Sequence, residues 1–200
     1  IVLKCLRIFD KPDYAPFAAQ VYLGKDAPSL AGGRLMGVAM LLLNVTQQML
    51  AQRDDAELAA VNERAVRSIL DHHYNPEYAL LNEVLNHDYT RPDNVYRHLV
   101  YTGHAIETMW MLIYEAHRRN DKDLFRRATA IFERHVELAW DRVFGGFFRG
   151  LKDVHANLWI LDKPLWVQEE VLIGTLFLIE HTGSDWARDW FGRTFAFIQD

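Results

Sequence analysis

Cysteine is nearly absent from this 200-residue chain. Cys5 stands alone, so no internal disulfide can form, and a reducing compartment, by default the cytoplasm, is expected. A dominant charge sign is lacking too. The 27 acidic and 22 basic residues are interspersed and leave a formal charge of −5. That balance argues against nucleic acid or an anionic membrane as the main partner. No apolar run reaches the ~18 residues of a membrane span, because Asn44, Glu107 and the pair Glu169 and Glu170 interrupt the best candidates. A signal-peptide pattern and a low-complexity linker are likewise missing, so a single domain over residues 1–200 is expected. The chain opens on Ile1-Val2-Leu3 without a Met and stops just after the apolar Phe195-Ala196-Phe197-Ile198. It therefore reads as a fragment of a longer protein, one that alone would expose an apolar flank, dissolve poorly and lack activity.

What is present is apolar and helical. Segments 34–50, 103–116 and 165–179 are apolar almost all the way round, with strong helix formers and no Pro in the first. Such helices are expected to be buried on every side. Each is followed by an amphipathic one, over 55–73, 121–140 and 184–197. Their stripes are Leu58, Val61, Ala65, Val66, Ile69, Leu70; then Leu124, Phe125, Ala128, Ile131, Phe132, Val136; then Trp186, Trp190, Phe191, Phe195. The buried helices recur at intervals of roughly 60–70 residues, a repeat of architecture and not of sequence. Short turns lead from each inner helix to its outer partner. Longer stretches containing short strands, within 78–85 and 147–160, lead back. The pattern is that of an all-α arrangement of helical hairpins with an apolar inner layer, and it suits a closed toroid or an open superhelix.

The long connections deliver the chain to the N-terminal ends of the inner helices, where a toroid would have its cavity. Thr102 or Gly103 can cap the second inner helix and place His104 in its first turn. The helix N-terminus disfavours imidazolium there and leaves His104 able to accept a proton. Glu107 shares that face three residues on, with Met111 and Tyr114 continuing it. A capped or surface His, or a local His–Glu ion pair, is the plainer reading of the same spacing. His72 and His73, near the end of an outer helix, are expected to face solvent. A second constellation is Asp162-Lys163-Pro164-Leu165-Trp166-Val167-Gln168-Glu169-Glu170. Pro164 suits a first helical turn, and an indole beside amide and carboxylate groups suits the apolar face and polar edges of a sugar. A core Trp with capping carboxylates is the plainer alternative.

Three motifs in order carry a resemblance: Gly103-His104-Ala105-Ile106-Glu107 with Trp110; Gly145-Gly146-Phe147-Phe148; and Lys163, Trp166, Gln168 and Glu170. Asn82-Glu83-Val84 is a fourth, weaker match. Together they resemble the N-acylglucosamine 2-epimerase family, which includes cellobiose 2-epimerases and mannose-type aldose–ketose isomerases. The resemblance implies an (α/α)6 barrel, here an incomplete portion with short β-hairpins in the connections. It also implies that His104 is one of two proton-moving histidines. Glu107 would join it, and Glu83, Trp110, Lys163, Trp166, Gln168 and Glu170 would bind the sugar. The family's second His falls beyond Asp200 and its early pocket Arg before Ile1. A further His carried by some disaccharide enzymes is replaced by Asn44 and Gln47-Gln48, which points away from the cellobiose branch.

The expected chemistry is general acid–base proton transfer beside the carbonyl of a reducing sugar, without metal or redox cofactor. A small-molecule sugar is the partner, and a homodimer is compatible with this reading. His104, Trp166 and Glu170 should then face one cavity. Two rivals are a glycoside hydrolase or lyase using Glu107 and Glu170 as paired carboxylates, and a helical-repeat binding module in which His104 and Trp166 merely pack.

Overall fold

The computed structural model describes residues 1–15, 23–25 and 27–199. Contacts divide them into two compact units, one formed by 1–100 with 152–158 and the other by 101–151 with 159–200.

In the first unit α1 (Val2–Phe9) precedes the strand β1 (Arg34–Leu35), which runs directly into α2 (Met36–Leu50). Asp55 begins α3 (Ala56–Arg67) as its side-chain cap, accepting the backbone N–H groups of Glu57 and Leu58. A π-helical turn, Ser68–His73, ends this outer element. Three short strands come next: β2 (Tyr74–Asn75) pairs antiparallel with β3 (Leu80–Leu81), and β4 (Val84–Leu85) returns to pair with β1. Leu35, Val84, Tyr96 and Leu99 form a buried cluster with Ala27. Asp10 is gripped by Arg64 through both oxygens and by Arg34, whose guanidinium also donates to the Phe9 carbonyl at 2.9 Å. The Arg64 hydrogen bonds hold the Asp10 carboxyl below the usual carboxylate range.

The second unit is two helical hairpins. The first pairs α4 (Thr102–Arg119) with α5 (Lys122–Ala139); the second pairs α6 (Leu165–Thr182) with α7 (Asp185–Gln199). Terminators are local. Asn120 and Gly183 adopt left-handed φ values of 55° and 66° and close α4 and α6, while Asp121 caps α5 by accepting from Asp123 and Leu124. Between the hairpins, β5 (Gly150–Asp153) and β6 (Leu158–Ile160) pair as a hairpin. Among the described residues no helix is long and apolar enough to cross a membrane.

Two expectations about burial need correction. Of the three inner helices, α4 is enclosed over most of its surface, but α2 exposes Leu41 and Val45, and α6 exposes Leu165, Ile173 and Leu176. Apolarity all round a helix reports what it is able to bury, and here part of each circumference has no cover among the described residues. Of the two adjacent histidines, His72 is exposed but His73 is buried, its Nδ1 2.7 Å from the Asn82 carbonyl. A π turn inserts an extra residue into the helical repeat and so rotates the residues after it. His135 on α5 is also fully buried, with Nδ1 2.8 Å from the Ile131 carbonyl. Burial depresses both imidazoles to about 4.

Candidate active site

Helix α4 begins at Thr102, one residue earlier than a Thr102 cap and two earlier than a Gly103 cap would place it. Tyr101 is the N-cap, without a side-chain cap bond. Thr102 does not cap: its hydroxyl donates to the Phe148 carbonyl at 2.7 Å, and the Gly103 N–H donates to the Arg149 carbonyl at 3.1 Å. His104 is thus the third helical residue, within the first turn. His104, Glu107, Trp110 and Tyr114 are half-buried, whereas Met111 is buried, so Trp110 and not Met111 continues the open stripe of this helix.

Helix α6 supplies the facing groups. Pro164 is its N-cap in extended conformation, and Trp166 sits in the first turn. The indole of Trp166 lies 5.8 Å from the His104 ring, centroid to centroid, tilted by 43°. Tyr101, which the motifs do not include, completes the group: its ring is 4.5 Å from His104 and stacks near-parallel to Trp166 at 6.2 Å. An aromatic three residues before a helix-start histidine was the available signal. One turn on, Glu170 accepts the indole N–H of Trp110 at 2.5 Å. Burial pushes the Glu170 carboxyl up, and the neighbouring Glu169 charge adds to this, while the Trp110 hydrogen bond and the nearby His104 oppose it. His104, Glu107, Trp110, Trp166 and Glu170 therefore sit along α4 and α6, with Tyr101 against the first of them.

Gly103 explains how the two helices meet so closely. A Cβ there would lie 2.5 Å from Cη2 of Trp166 and 2.8 Å from Cγ2 of Val167. Gly103→Ala should force Trp166 out of place and cost about 1–3 kcal/mol, the usual penalty of overpacking. Urea unfolding would read this, and an unchanged midpoint would show that the helices simply spread.

Lys163 and Gln168 occupy a different layer. The Lys163 ammonium donates to Asp141 at 2.5 Å and to the Gly145 carbonyl at 2.7 Å, and lies 5.0 Å from the Phe148 ring centre. The Lys163 hydrogen bond also holds the Asp141 carboxyl low. Gln168 is buried, with its amide oxygen accepting from the Phe147 N–H at 2.9 Å and its amide nitrogen donating to the Phe147 carbonyl at 3.0 Å. Both side chains thus fasten the Gly145-Gly146-Phe147-Phe148 turn to α6. The two glycines have φ of 74° and 76°, a region that side chains rarely adopt, and a Cβ on Gly146 would run into the Phe197 ring. Gln168→Leu would leave the Phe147 amide and carbonyl buried without that partner, at a cost of about 1–3 kcal/mol for each group stranded. A chemical-denaturation curve matching wild type would contradict the clamp.

Glu83 belongs to the first unit. It is buried, its N–H donating to the Leu99 carbonyl at 3.0 Å and its carbonyl accepting from Met36 at 2.9 Å. Among the described residues no three His, Cys, Asp or Glu side chains gather in a way that could hold a metal ion.

Solved structures share this arrangement of helices. A D-mannose isomerase superimposes with a TM-score of 0.73 at 15% identity, over 86% of this chain and 48% of its own. A sugar epimerase from a ruminal bacterium gives 0.69 at 15% identity, over 84% and 42%. A cellobiose 2-epimerase from Spirochaeta thermophila gives 0.67 at 13% identity, over 84% and 43%. The chain spans less than half the length of each, and at such identities the likeness concerns the fold: helical hairpins of an (α/α)6 barrel, in part. No curated protein matches by sequence. The family described as N-acylglucosamine 2-epimerase does match, over residues 34–200, a span that takes in every motif residue from Glu83 to Glu170. This chain belongs to the N-acylglucosamine 2-epimerase family.

Proposed function

We propose that the full-length protein is a carbohydrate epimerase or aldose–ketose isomerase, with His104 moving a proton at the carbon beside the sugar carbonyl. The observation that carries this reading is the placement of His104 against Trp166 and within electrostatic reach of Glu170, at the start of α4. Family membership and the sugar-converting enzymes of like fold support it.

In this reading the Trp166 indole, backed by Tyr101, takes the C–H face of the opened sugar. Glu107 and Glu170 bind hydroxyls. Glu170, whose carboxyl is pushed up by burial, gives and takes a proton during ring opening. His104 then removes the proton alpha to the carbonyl, forming an enediol. Hydrogen bonds to its developing oxyanion lower the barrier. Returning a proton to C2 from the opposite face yields an epimer, and returning it to C1 yields a ketose. Lys163 and Gln168 act from behind by fixing the Gly145–Phe148 turn. No metal or redox cofactor enters this chemistry.

The test is incubation of the full-length protein with reducing aldoses in heavy water, with NMR as the readout. Deuterium at C2 identifies an epimerase and deuterium at C1 an isomerase. Release of new reducing ends from a glycoside, without isotope incorporation, would favour a hydrolase and overturn the proposal.

A further inference from the structure

Helices α4 and α6 carry a second pair of side chains at their other ends. His117 lies in the last turn of α4 and His181 in the last turn of α6. Their rings are 4.1 Å apart, centroid to centroid, with a tilt of 31°. Phe177 supports both, 4.1 Å from His181 and edge-on to His117 at 5.7 Å. Both histidines are exposed, and neither imidazole hydrogen-bonds to any described protein group. They line an open cavity of about 330 Å³ together with Asn120, Asp121 and Lys122.

We propose that His117 and His181 are the protein ligands of a transition-metal site, taking Zn²⁺ or Cu²⁺ with water in the remaining positions. Four observations carry this. Imidazole is a favoured ligand for these ions. Two imidazoles whose nitrogens lie about 2.0–2.1 Å from one tetrahedral metal have ring centres roughly 5 Å apart, which these exposed rings, now at 4.1 Å, reach by swinging about 1 Å apart so that their nitrogens converge. The ring nitrogens need not give up a protein hydrogen bond to bind. Both histidines sit at helix C-termini, where backbone carbonyls favour positive charge.

Asp121 spends one oxygen capping α5 and lines the same cavity, a carboxylate of the kind that accepts from metal-bound water. Lys122 is the opposing feature, but it is exposed on a flexible stem and can turn to solvent. The close pair His98 and His155 lacks these properties: its rings are 5.4 Å apart, and the Tyr78 hydroxyl already meets Nδ1 of His155.

The consequence is a clip. His104 and His117 lie about 20 Å apart along α4 at 1.5 Å per residue, so the metal would not touch the sugar. It would tie together, at their far ends, the two helices that carry the candidate active site.

The test uses full-length protein in a Cys5→Ser background, freed of metal by chelation, and titrated calorimetrically with Zn²⁺, Cu²⁺ and Mg²⁺. One equivalent of Zn²⁺ or Cu²⁺ should bind with a micromolar Kd, and Mg²⁺ should not bind. His117→Ala and His181→Ala should each weaken binding at least ~10-fold, and the Cu²⁺ EPR spectrum should pass from two nitrogen ligands to one. His117→Gln, checked by circular dichroism, guards against misfolding. At a hundredfold excess over Kd the ion should raise Tm by about 3 °C in a protein twice the length of this chain. Absence of saturable binding, or binding equally strong in both alanine variants, would overturn the proposal.

Discussion

His104→Asn should lower isotope exchange into the substrate sugar by about 10²–10⁴-fold, the range general acid–base groups contribute. Asparagine keeps hydrogen-bonding capacity and similar bulk but cannot take up the proton. The fold should survive, because His104 is half-buried and its ring contacts are with Tyr101 and Trp166, neither of which depends on charge. The discriminating measurement is exchange in heavy water beside binding of a sugar alcohol that cannot open to a carbonyl. Loss of exchange with retained binding places His104 in proton transfer. Undiminished exchange would remove it from the chemistry and return His104 to the role of a packing residue beside an indole.

Acid should destabilise the fold well before the carboxylates are protonated. His73 and His135 are both buried, and burial lowers their folded-state values from an ordinary 6.5 to about 4. A depressed folded value means that the unfolded chain takes up protons first. The stabilisation is therefore complete above about pH 6.5, is lost progressively as pH falls toward 4, and changes little below that. Each histidine contributes on the order of 3 kcal/mol across this window, taking about 1.4 kcal/mol per unit. Urea midpoints between about pH 7.5 and 4 would show the slope. His135→Asn should remove about half of it, and a flat profile between about 6.5 and 4.5 would contradict the burial of both rings. Asp10 and Asp141, each lowered by a basic partner, add their own loss at more acid pH.

Local chemistry was the legible part of this fold. The periodic segments 55–73 and 121–140 open where Asp55 and Asp121 cap α3 and α5, although the cap read at Thr102 or Gly103 falls instead on Tyr101. Those signals act within a single helical turn, so no tertiary knowledge is required. His73 and His135 were not legible, because their burial depends on a π turn and on the packing of a whole hairpin. Leu41 and Leu176 show the reverse error: composition tells which surface a helix could bury, not whether a neighbour arrives. At the candidate site, spacing put His104 in a first turn and brought attention to Trp166 and Glu170. It could not distinguish residues that face the open stripe from Lys163 and Gln168, whose polar atoms point back to Asp141, Gly145 and Phe147. Nor could it see that Gly103 matters for the thickness of a side chain on the next helix rather than for its own φ.

The Phe147–Arg149 stretch connects elements yet leaves little of its backbone loose. Phe147 is bonded through Gln168, Phe148 donates to Ala139, Arg149 donates to Asp162, and the Phe148 and Arg149 carbonyls receive Thr102 and Gly103. Most surface connections open and close independently of the helices they join. This one is laced to the first turns of both α4 and α6, so it cannot open without loosening the starts of the two helices together. His104 and Trp166 consequently belong to one cooperative opening unit. The two rings of the candidate site therefore breathe in step, and fluctuations that would part His104 from Trp166 are suppressed by a piece of chain that touches neither.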